Sequence, residues 1–302
     1  MSFVLALLPV IAIVSIGYFL AYRNSLSSEG RRAIERLCYV LLFPSLIIRV
    51  LATAPFDGSL WRIALALIAA QLAMAGIGHA ARFSPGIARP AIACIIQSNV
   101  RWNTFVALSL AGTLFGDEGL ALTAIAAAAM IPTANVISIL GFTQYGDSTI
   151  RRHPLLELLQ NPLVIACIIG VLINVSDLVI PAVADQVIET LASAALAMGL
   201  LVAGAGLDLD ALKHAGSRTI AWSLVRLLAM PIVAVTIALE LDVTGVALAV
   251  IAIAAATPTA TNGYVLARQL GGDPPFMANL IATQTVLAVV TMPFIMWVFD
   301  LV

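Results

Sequence analysis

Charged residues are scarce in this sequence. They make up 10% of the 302 residues, against 62% hydrophobic residues, and the mean hydropathy is +1.06. A soluble domain carries about 25% charged residues, so a soluble core cannot enclose this much apolar surface. Long apolar runs such as 63–75 do not alternate as barrel strands do, and the composition therefore predicts an all-α polytopic membrane protein.

Motifs for catalysis and for ATP-driven pumping are also missing. The chain has no His-Glu-x-x-His, no pair of aspartates inside an apolar run and no Gly-x-x-x-x-Gly-Lys-Ser/Thr loop, which disfavours an intramembrane enzyme and an ATP-driven pump. The three cysteines, Cys38, Cys94 and Cys167, lie far apart in apolar stretches and are predicted to be packing residues. We expect no cofactor or metal site, because no histidine has a second ligand at metal spacing.

Carboxylates are absent from the centres of the apolar runs. No acidic residue falls near the middle of any predicted span, and Glu189 comes closest. A proton relay built on a buried carboxylate is therefore not visible. Coupling to a proton or a sodium ion through backbone carbonyls and Asn or Thr oxygens stays open.

Ten apolar runs separated by short polar breaks predict ten transmembrane helices, since a helix needs about 20 apolar residues to cross the hydrocarbon. The runs are 2–22, 33–53, 59–82, 88–113, 118–140, 157–176, 183–206, 216–239, 245–270 and 275–299. The longest loop, 141–154, divides the chain nearly in half. We therefore expect a compact bundle without a soluble domain.

The basic residues outside the span centres are distributed unevenly. If the helices alternate in direction, only Arg49 and Arg62 fall on one side of the membrane. The other side carries Arg23, Arg31, Arg32, Arg36, Arg82, Arg89, Arg151, Arg152, Lys213, Arg218 and Arg268. The positive-inside rule makes this second side cytoplasmic, which places both termini outside the cytoplasm.

Two polar stretches interrupt predicted helices four and nine. Gln97–Thr104 reads Gln-Ser-Asn-Val-Arg-Trp-Asn-Thr, and Ala256–Gly263 reads Ala-Thr-Pro-Thr-Ala-Thr-Asn-Gly. We expect these interruptions to meet and form a binding site.

An offset of 159 residues aligns the two interruptions, with Asn103 on Asn262 and Arg101 on Ala260. Each half then holds five spans, and an odd number gives the second half the opposite orientation. We predict two inverted five-helix repeats, 1–150 and 151–302, as in secondary transporters with broken helices.

Arg101 lies about midway through the fourth span, where a charge costs about 2.5–3.5 kcal/mol. Its planar fork of donors fits a carboxylate at two points, which favours a counter-charge for an anionic substrate. A structural arginine bonded to backbone carbonyls of the broken helix is the alternative.

Further site candidates surround the two interruptions. Pro258 removes a backbone donor and breaks the ninth helix, and a broken helix presents free N–H groups to an anion. The polar candidates near the breaks are Asn99, Asn103, Thr257, Thr259, Thr261 and Asn262. For the three threonines, local capping of the broken helix is an equally supported alternative. Asn135 and Gln284 are secondary candidates, since isolated polar residues often bond between helices. For Arg226, a structural role and a substrate role are equally supported.

Several stretches together resemble the auxin efflux carrier family in its bacterial branch. They are Gln97–Thr104, Leu114–Leu120, Asn161–Ala166, Arg226–Pro231 and Pro258–Asp273. The resemblance runs over the whole chain, and the order and spacing of the stretches carry it. No single motif is diagnostic.

The resemblance implies ten spans in two inverted repeats, similar to the bile acid sodium symporter fold, with helices four and nine broken and crossing at 99–103 and 258–262. Helices 3–5 and 8–10 would form a mobile transport domain, and helices 1, 2, 6 and 7 a scaffold that often dimerises. Family substrates are organic anions, such as auxin in plants and malate or malonate in bacteria. Three features favour a small carboxylate over auxin. The fourth-helix break has no proline, it contains Arg101, and the central loop is short.

The leading hypothesis is a secondary active or facilitative transporter, or permease, of a small organic anion. It would work by elevator-type alternating access, as a multi-pass homodimer in the bilayer of the bacterial inner membrane, without a nucleic-acid partner. A channel or membrane sensor with the same fold is the alternative, and an intramembrane enzyme is a weaker one.

Overall fold

The structure is a computed structural model, and it describes residues 3–54, 60–147, 160–176 and 178–301. These residues form helices and turns, with no strand among them, so the predicted all-α class is confirmed. Part of the predicted central loop lies outside the described residues. This part includes the predicted repeat boundary at 150/151 and the residues Arg151, Arg152 and His153.

The helices before the central loop are α1 (Phe3–Tyr22), α2 (Ser28–Leu37), α3 (Phe43–Thr53), α4 (Leu60–His79), α5 (Arg89–Val100) and α6 (Thr104–Tyr145). A π-helix, Cys38–Leu42, joins α2 to α3, and a 3-10 helix, Ala80–Phe83, extends α4. The second and third helices therefore form one segment.

The helices after the loop are α7 (Pro162–Val175), α8 (Ala182–Ala205), α9 (Ser217–Leu224), α10 (Met230–Glu240), α11 (Gly245–Ala256), α12 (Gly263–Gln269) and α13 (Pro274–Val298). A second π-helix, Val225–Ala229, joins α9 to α10, and a 3-10 helix, Leu209–His214, precedes α9.

Seven segments of the described chain are long and apolar enough to cross a membrane. The longest, Arg89–Tyr145, includes both α5 and α6, while α7 and α11 are shorter apolar helices. The chain is therefore a multi-pass membrane protein. The fifth predicted span ended too early, because α6 continues to Tyr145. The predicted break at 115–118 is a kink at Gly116 (φ 59°) within α6, a left-handed conformation that glycine adopts readily.

Prolines account for the two π-helices. A proline lacks the N–H group and clashes with the carbonyl four residues earlier, and a π-turn widens the helix there. Pro44 follows the π-helix Cys38–Leu42, and Pro231 follows the π-helix Val225–Ala229. The second wide turn contains Arg226.

The helices pack in two groups. In the first, α1 packs on α8, and α3 packs on α7 and α8. In the second, α4 packs on α5, α6 and α10, α11 packs on α6 and α10, and α13 packs on α9, α11 and α12. The long helix α6 also contacts α1, α3, α7 and α8, so it borders both groups.

Two glycines allow α1 and α8 to approach backbone to backbone. A Cβ atom on Gly17 would collide with the carbonyl oxygen of Leu201, and one on Gly204 would collide with that of Val14. Small residues at a helix crossing are typical of membrane proteins. The two helices are therefore in direct backbone contact at two positions.

The cysteines pack as predicted. Cys38 and Cys167 are buried in an apolar cluster formed by α3, α7 and α8, and Cys94 is buried in a second cluster beside α12 and α13. All three are free thiols.

Candidate functional site

The first interruption is short. The helix α5 ends at Val100 and α6 begins at Thr104, with Arg101 extended at the C-terminal end of α5 (φ −78°, ψ 149°). The side chain of Asn103 caps α6, because its Oδ1 accepts hydrogen bonds from the N–H groups of Phe105 (3.2 Å) and Val106 (3.3 Å). Asparagine is among the best residues at this position, and the cap explains why a new helix starts there.

The second interruption is longer. The helix α11 ends at Ala256 and α12 begins at Gly263. Thr257 is extended (φ −63°, ψ 149°), as expected for the residue before a proline. Pro258 follows it and cannot donate a backbone hydrogen bond. The predicted failure of the helix at Pro258 is therefore observed.

The two interruptions contact each other directly. The N–H of Asn103 donates to Oγ1 of Thr257 (3.3 Å), and Oγ1 of Thr259 donates to the carbonyl of Ser98 (2.7 Å). All four residues are buried. Each break thus satisfies backbone groups of the other, which matters where water is excluded.

Side chains from neighbouring helices also bond to backbone groups at the breaks. Nε2 of Gln71 donates to the carbonyls of Val100 (2.8 Å) and Met130 (3.1 Å). Oε1 of Gln284 accepts from the N–H of Thr259 (3.0 Å). Both glutamines are fully buried, and they tie the breaks to α4 and α13.

Arg226 is also fully buried, and its hydrogen bonds within the described part of the chain go to backbone carbonyls. Its Nε (3.3 Å) and Nη2 (3.1 Å) donate to the carbonyl of Arg101, and its Nη1 donates to the carbonyl of Ala255 (2.5 Å). The guanidinium therefore lies between the C-terminal ends of α5 and α11.

The side chain of Arg101 is only partly buried and lies among amides. Nη1 donates to Oδ1 of Asn262 (3.3 Å), and Nη2 donates to Oδ1 of Asn135 (2.7 Å). The arginine comes from the first break, Asn262 from the second and Asn135 from α6. Three separated stretches of sequence thus orient one guanidinium.

A cavity of about 510 Å³ adjoins this guanidinium. It is lined by Arg32, Glu35, Arg36, Tyr39, Arg101, Trp102, Asn103, Thr104, Phe105, Ile131, Ala134, Asn135, Leu163, Ala260, Thr261, Asn262, Val265, Leu266 and Gln269. The lining comes from both groups of helices. It includes three arginines, of which Arg32 and Arg36 are exposed.

Five of the predicted site residues line this cavity, namely Arg101, Asn103, Asn135, Thr261 and Asn262. The other six lie in the packed region behind it, and they are Asn99, Arg226, Thr257, Pro258, Thr259 and Gln284. Asn99 is fully buried, and its Nδ2 donates to the carbonyl of Met74 (3.3 Å). The structure thus separates residues that face the cavity from residues that hold the breaks together.

Several cavity residues were not predicted. Arg32, Glu35 and Arg36 lie on α2 and Tyr39 follows in the π-helix. From the sequence, the two arginines indicated only which side of the membrane is cytoplasmic. The spacing of four between Arg32 and Arg36 places them on one helix face, and this was the available signal. The spacing does not show how α2 packs, and it therefore does not predict that Arg32 and Arg36 lie near Arg101.

A second cavity of about 210 Å³ lies next to the first. The two cavities share Glu35, Thr261 and Val265 as lining residues, and the second adds Arg31 and Asp208. Within the described ranges, no cluster of three or more His, Cys, Asp or Glu side chains is placed to hold a metal ion.

Apolar segments long enough to span a bilayer, together with two helix interruptions that meet beside a cavity with polar and apolar walls, define the class of polytopic membrane transport proteins. A family model described as membrane transport protein matches residues 2–146 and 148–296. The chain therefore belongs to this family, the auxin efflux carrier family, and the resemblance in sequence is confirmed. No curated protein matches the chain.

Proposed function

We propose that this membrane transport protein is a secondary carrier of a small organic anion, a carboxylate bound by Arg101. One observation carries the proposal: the Arg101 guanidinium is held by Asn135 and Asn262 at the wall of a cavity of about 510 Å³. A guanidinium is a planar fork of donors that matches a carboxylate. The two amide oxygens orient this fork at the cavity wall.

Charge around the cavity also supports an anion. Arg32 and Arg36 line the same cavity as Arg101, with Glu35 between them on α2. Arginines along a cleft raise the local concentration of anions and their rate of entry. The volume of about 510 Å³ is sufficient for a small carboxylate with its water.

The proposed topology has ten spans in two inverted repeats, with a fold similar to that of the bile acid sodium symporters and a place in the bacterial branch of the family. Two observations support this count. The kink at Gly116 divides the 42-residue helix α6 into two parts, and each interrupted pair, α5 with α6 and α11 with α12, corresponds to one broken span. Helices four and nine of the proposal are these broken spans.

The proposed motion is elevator-type alternating access. The group formed by α4–α6 and α9–α13 would carry Arg101 across the bilayer against α1–α3, α7 and α8, which would also form the homodimer contact. The packing of the helices in two groups, with the cavity lined by both, supports this division. A coupling ion, proton or sodium, has no assigned residue.

The proposed orientation places both termini outside the cytoplasm of a bacterial inner membrane. It rests on the distribution of basic residues. In this orientation Arg32 and Arg36 lie at the cytoplasmic side, and the cavity of about 510 Å³ is open to the cytoplasm.

Uptake by proteoliposomes tests the proposal. A panel of labelled acetate, lactate, malonate, malate and indole-3-acetate is offered to the parent protein and to Arg101→Ala and Arg101→Lys. We expect uptake of at least one small carboxylate, a loss of about 100-fold in Arg101→Ala, and partial uptake in Arg101→Lys, which keeps the charge but not the fork. Equal uptake by all three proteins, or no uptake of any anion by the parent, would contradict the proposal.

Counterflow distinguishes a carrier from a channel of the same fold. Vesicles loaded with unlabelled substrate should transiently accumulate the labelled substrate above its equilibrium level. A pore gives no such accumulation, so its absence together with unsaturable uptake would favour a channel.

A further inference from the structure

Arg226 lies behind the cavity and does not line it. Its side chain has no solvent exposure, and its described hydrogen bonds all end on main-chain carbonyls. The polar face of the cavity is formed by other residues. A cation in this position needs a source of negative charge other than a bound substrate.

The ends of two helices supply that negative charge. The C-terminus of an α-helix carries about −0.5 of an elementary charge, and α5 and α11, each 12 residues long, both end beside Arg226. The two ends together amount to about one negative charge, which balances one guanidinium. Arg226 therefore allows two helix C-termini to face each other inside the protein.

We infer that Arg226 is a positioning residue, which holds the backbone of Arg101 against the end of α11 and so fixes the direction in which the Arg101 side chain enters the cavity. Two of its donors meet on the carbonyl of Arg101, and the third reaches Ala255. The inference rests on the proposed function, in which Arg101 binds the anion.

Gln71 shows why an arginine is needed at this position. Gln71 also bonds to the first break, through the carbonyl of Val100, but its second acceptor is Met130 of α6. It therefore does not connect the first break to the second. A glutamine amide is neutral, whereas the guanidinium has donors on several sides and a charge to balance two helix ends.

Trp102 gives a readout that needs no substrate. Its side chain is buried directly after Arg101 in the first break. The chain has four tryptophans, and the substitutions Trp61→Phe, Trp222→Phe and Trp297→Phe leave Trp102 as the only one. In this background, Arg226→Gln should shift the Trp102 emission to longer wavelength and increase its quenching by acrylamide, because the first break loses its anchor.

Arg218→Gln is the matched control. Arg218 precedes Arg226 by two helical turns and also donates to two backbone carbonyls, those of Gly86 (2.6 Å) and Pro85 (3.1 Å), but it is exposed and outside the cavity. The Trp102 emission should be the same in Arg218→Gln as in the parent.

Transport kinetics form the second arm of the test, with the carboxylate of the panel that the parent takes up fastest. Arg226→Gln should raise KM by about 10- to 100-fold, the range for losing a hydrogen bond to a charged group, with a smaller change in maximal rate. Arg226→Lys keeps the charge but has no fork to join two helices, so its KM should lie between those of the parent and Arg226→Gln.

Each outcome decides the inference. Parent-like KM and Trp102 emission in both Arg226 variants overturn it, as does a lower maximal rate at unchanged KM. If neither Arg226 variant gives monodisperse protein while Arg218→Gln does, Arg226 has a folding role instead. If the parent takes up no carboxylate, the proposed function fails, and the Trp102 emission still reports whether Arg226 holds the break.

Discussion

The two helix breaks differ in length and in chemistry. The first, 101–103, has a cation at the end of α5 and an asparagine that caps α6. The second, 257–262, contains a proline and three threonines, and the side chain of Asn262 makes no cap hydrogen bond to α12. Asn262 instead accepts from Arg101. The first break thus supplies the charge, and the second supplies a polar wall that orients it.

The starts of the helices show where the two halves of the chain differ in length. The helix α5 begins at 89 and α11 begins at 245, 156 positions later, whereas α6 begins at 104 and α12 at 263, 159 positions later. The second break therefore has three more residues than the first. Three residues of the second break, Ala260, Thr261 and Asn262, line the cavity, so the longer break contributes its last three residues to the cavity wall.

Thr257→Val should have the largest effect on stability. It leaves the buried N–H of Asn103 without its acceptor, and an unsatisfied buried donor costs about 1–3 kcal/mol. The measurement is the free energy of unfolding in detergent micelles by SDS titration. Thr285→Val is the control, because Oγ1 of Thr285 donates to the carbonyl of Ile281 within the same helix, α13, and not to either break. An equal decrease in the free energy of unfolding in both variants would show that the contact between the breaks stabilises the protein no more than a hydrogen bond within one helix.

Asn262→Ala and Asn103→Ala should separate the roles of two asparagines that occupy the same position before a helix. Asn262→Ala removes an acceptor of Arg101 and should raise KM for the carboxylate about tenfold, with little change in stability. Asn103→Ala removes the α6 cap and should lower the free energy of unfolding by about 1 kcal/mol.

Asn103→Ser is the control for the cap, since serine is also a good capping residue, and it should restore most of the stability. An equal rise in KM for Asn262→Ala and Asn103→Ala would contradict this separation, in which Asn103 caps α6 and Asn262 orients Arg101.

Arg32→Gln and Arg36→Gln should have the smallest effect. Both side chains are exposed at the cavity, where salt screens their attraction for an anion. Each should raise KM by about two- to threefold at low ionic strength and by less at about 0.5 M salt. Arg23→Gln, an exposed arginine outside the cavity, should leave KM unchanged at every salt concentration.

The sequence was sufficient to locate both breaks. Polar residues inside apolar runs are costly in a membrane, so 97–104 and 256–263 stood out, and Pro258 marked the failure of the ninth helix. The sequence did not show that the second break is three residues longer than the first. The matches behind the 159-residue offset, such as Asn103 with Asn262, all lie at or after the end of the break. At the end of the preceding helix, Arg101 corresponds to Thr257 rather than to Ala260.

The hydrogen-bond partners of Arg226 could not be predicted, for a physical reason. Its acceptors are backbone carbonyls of Arg101 and Ala255, and every residue type presents the same carbonyl. Only the packing of three helices brings these groups together. The arrangement of two inverted repeats stays a prediction, as do the substrate and the scaffold dimer.

The backbone contact between α1 and α8 at Gly17 and Gly204 also has a practical consequence. Because no side chain separates the two helices at these positions, a change in their spacing would require both backbones to part. Two spin labels, one on each of these helices, should report a single distance under all conditions. That distance serves as a fixed reference, against which a displacement of α5 or α11 during transport can be measured.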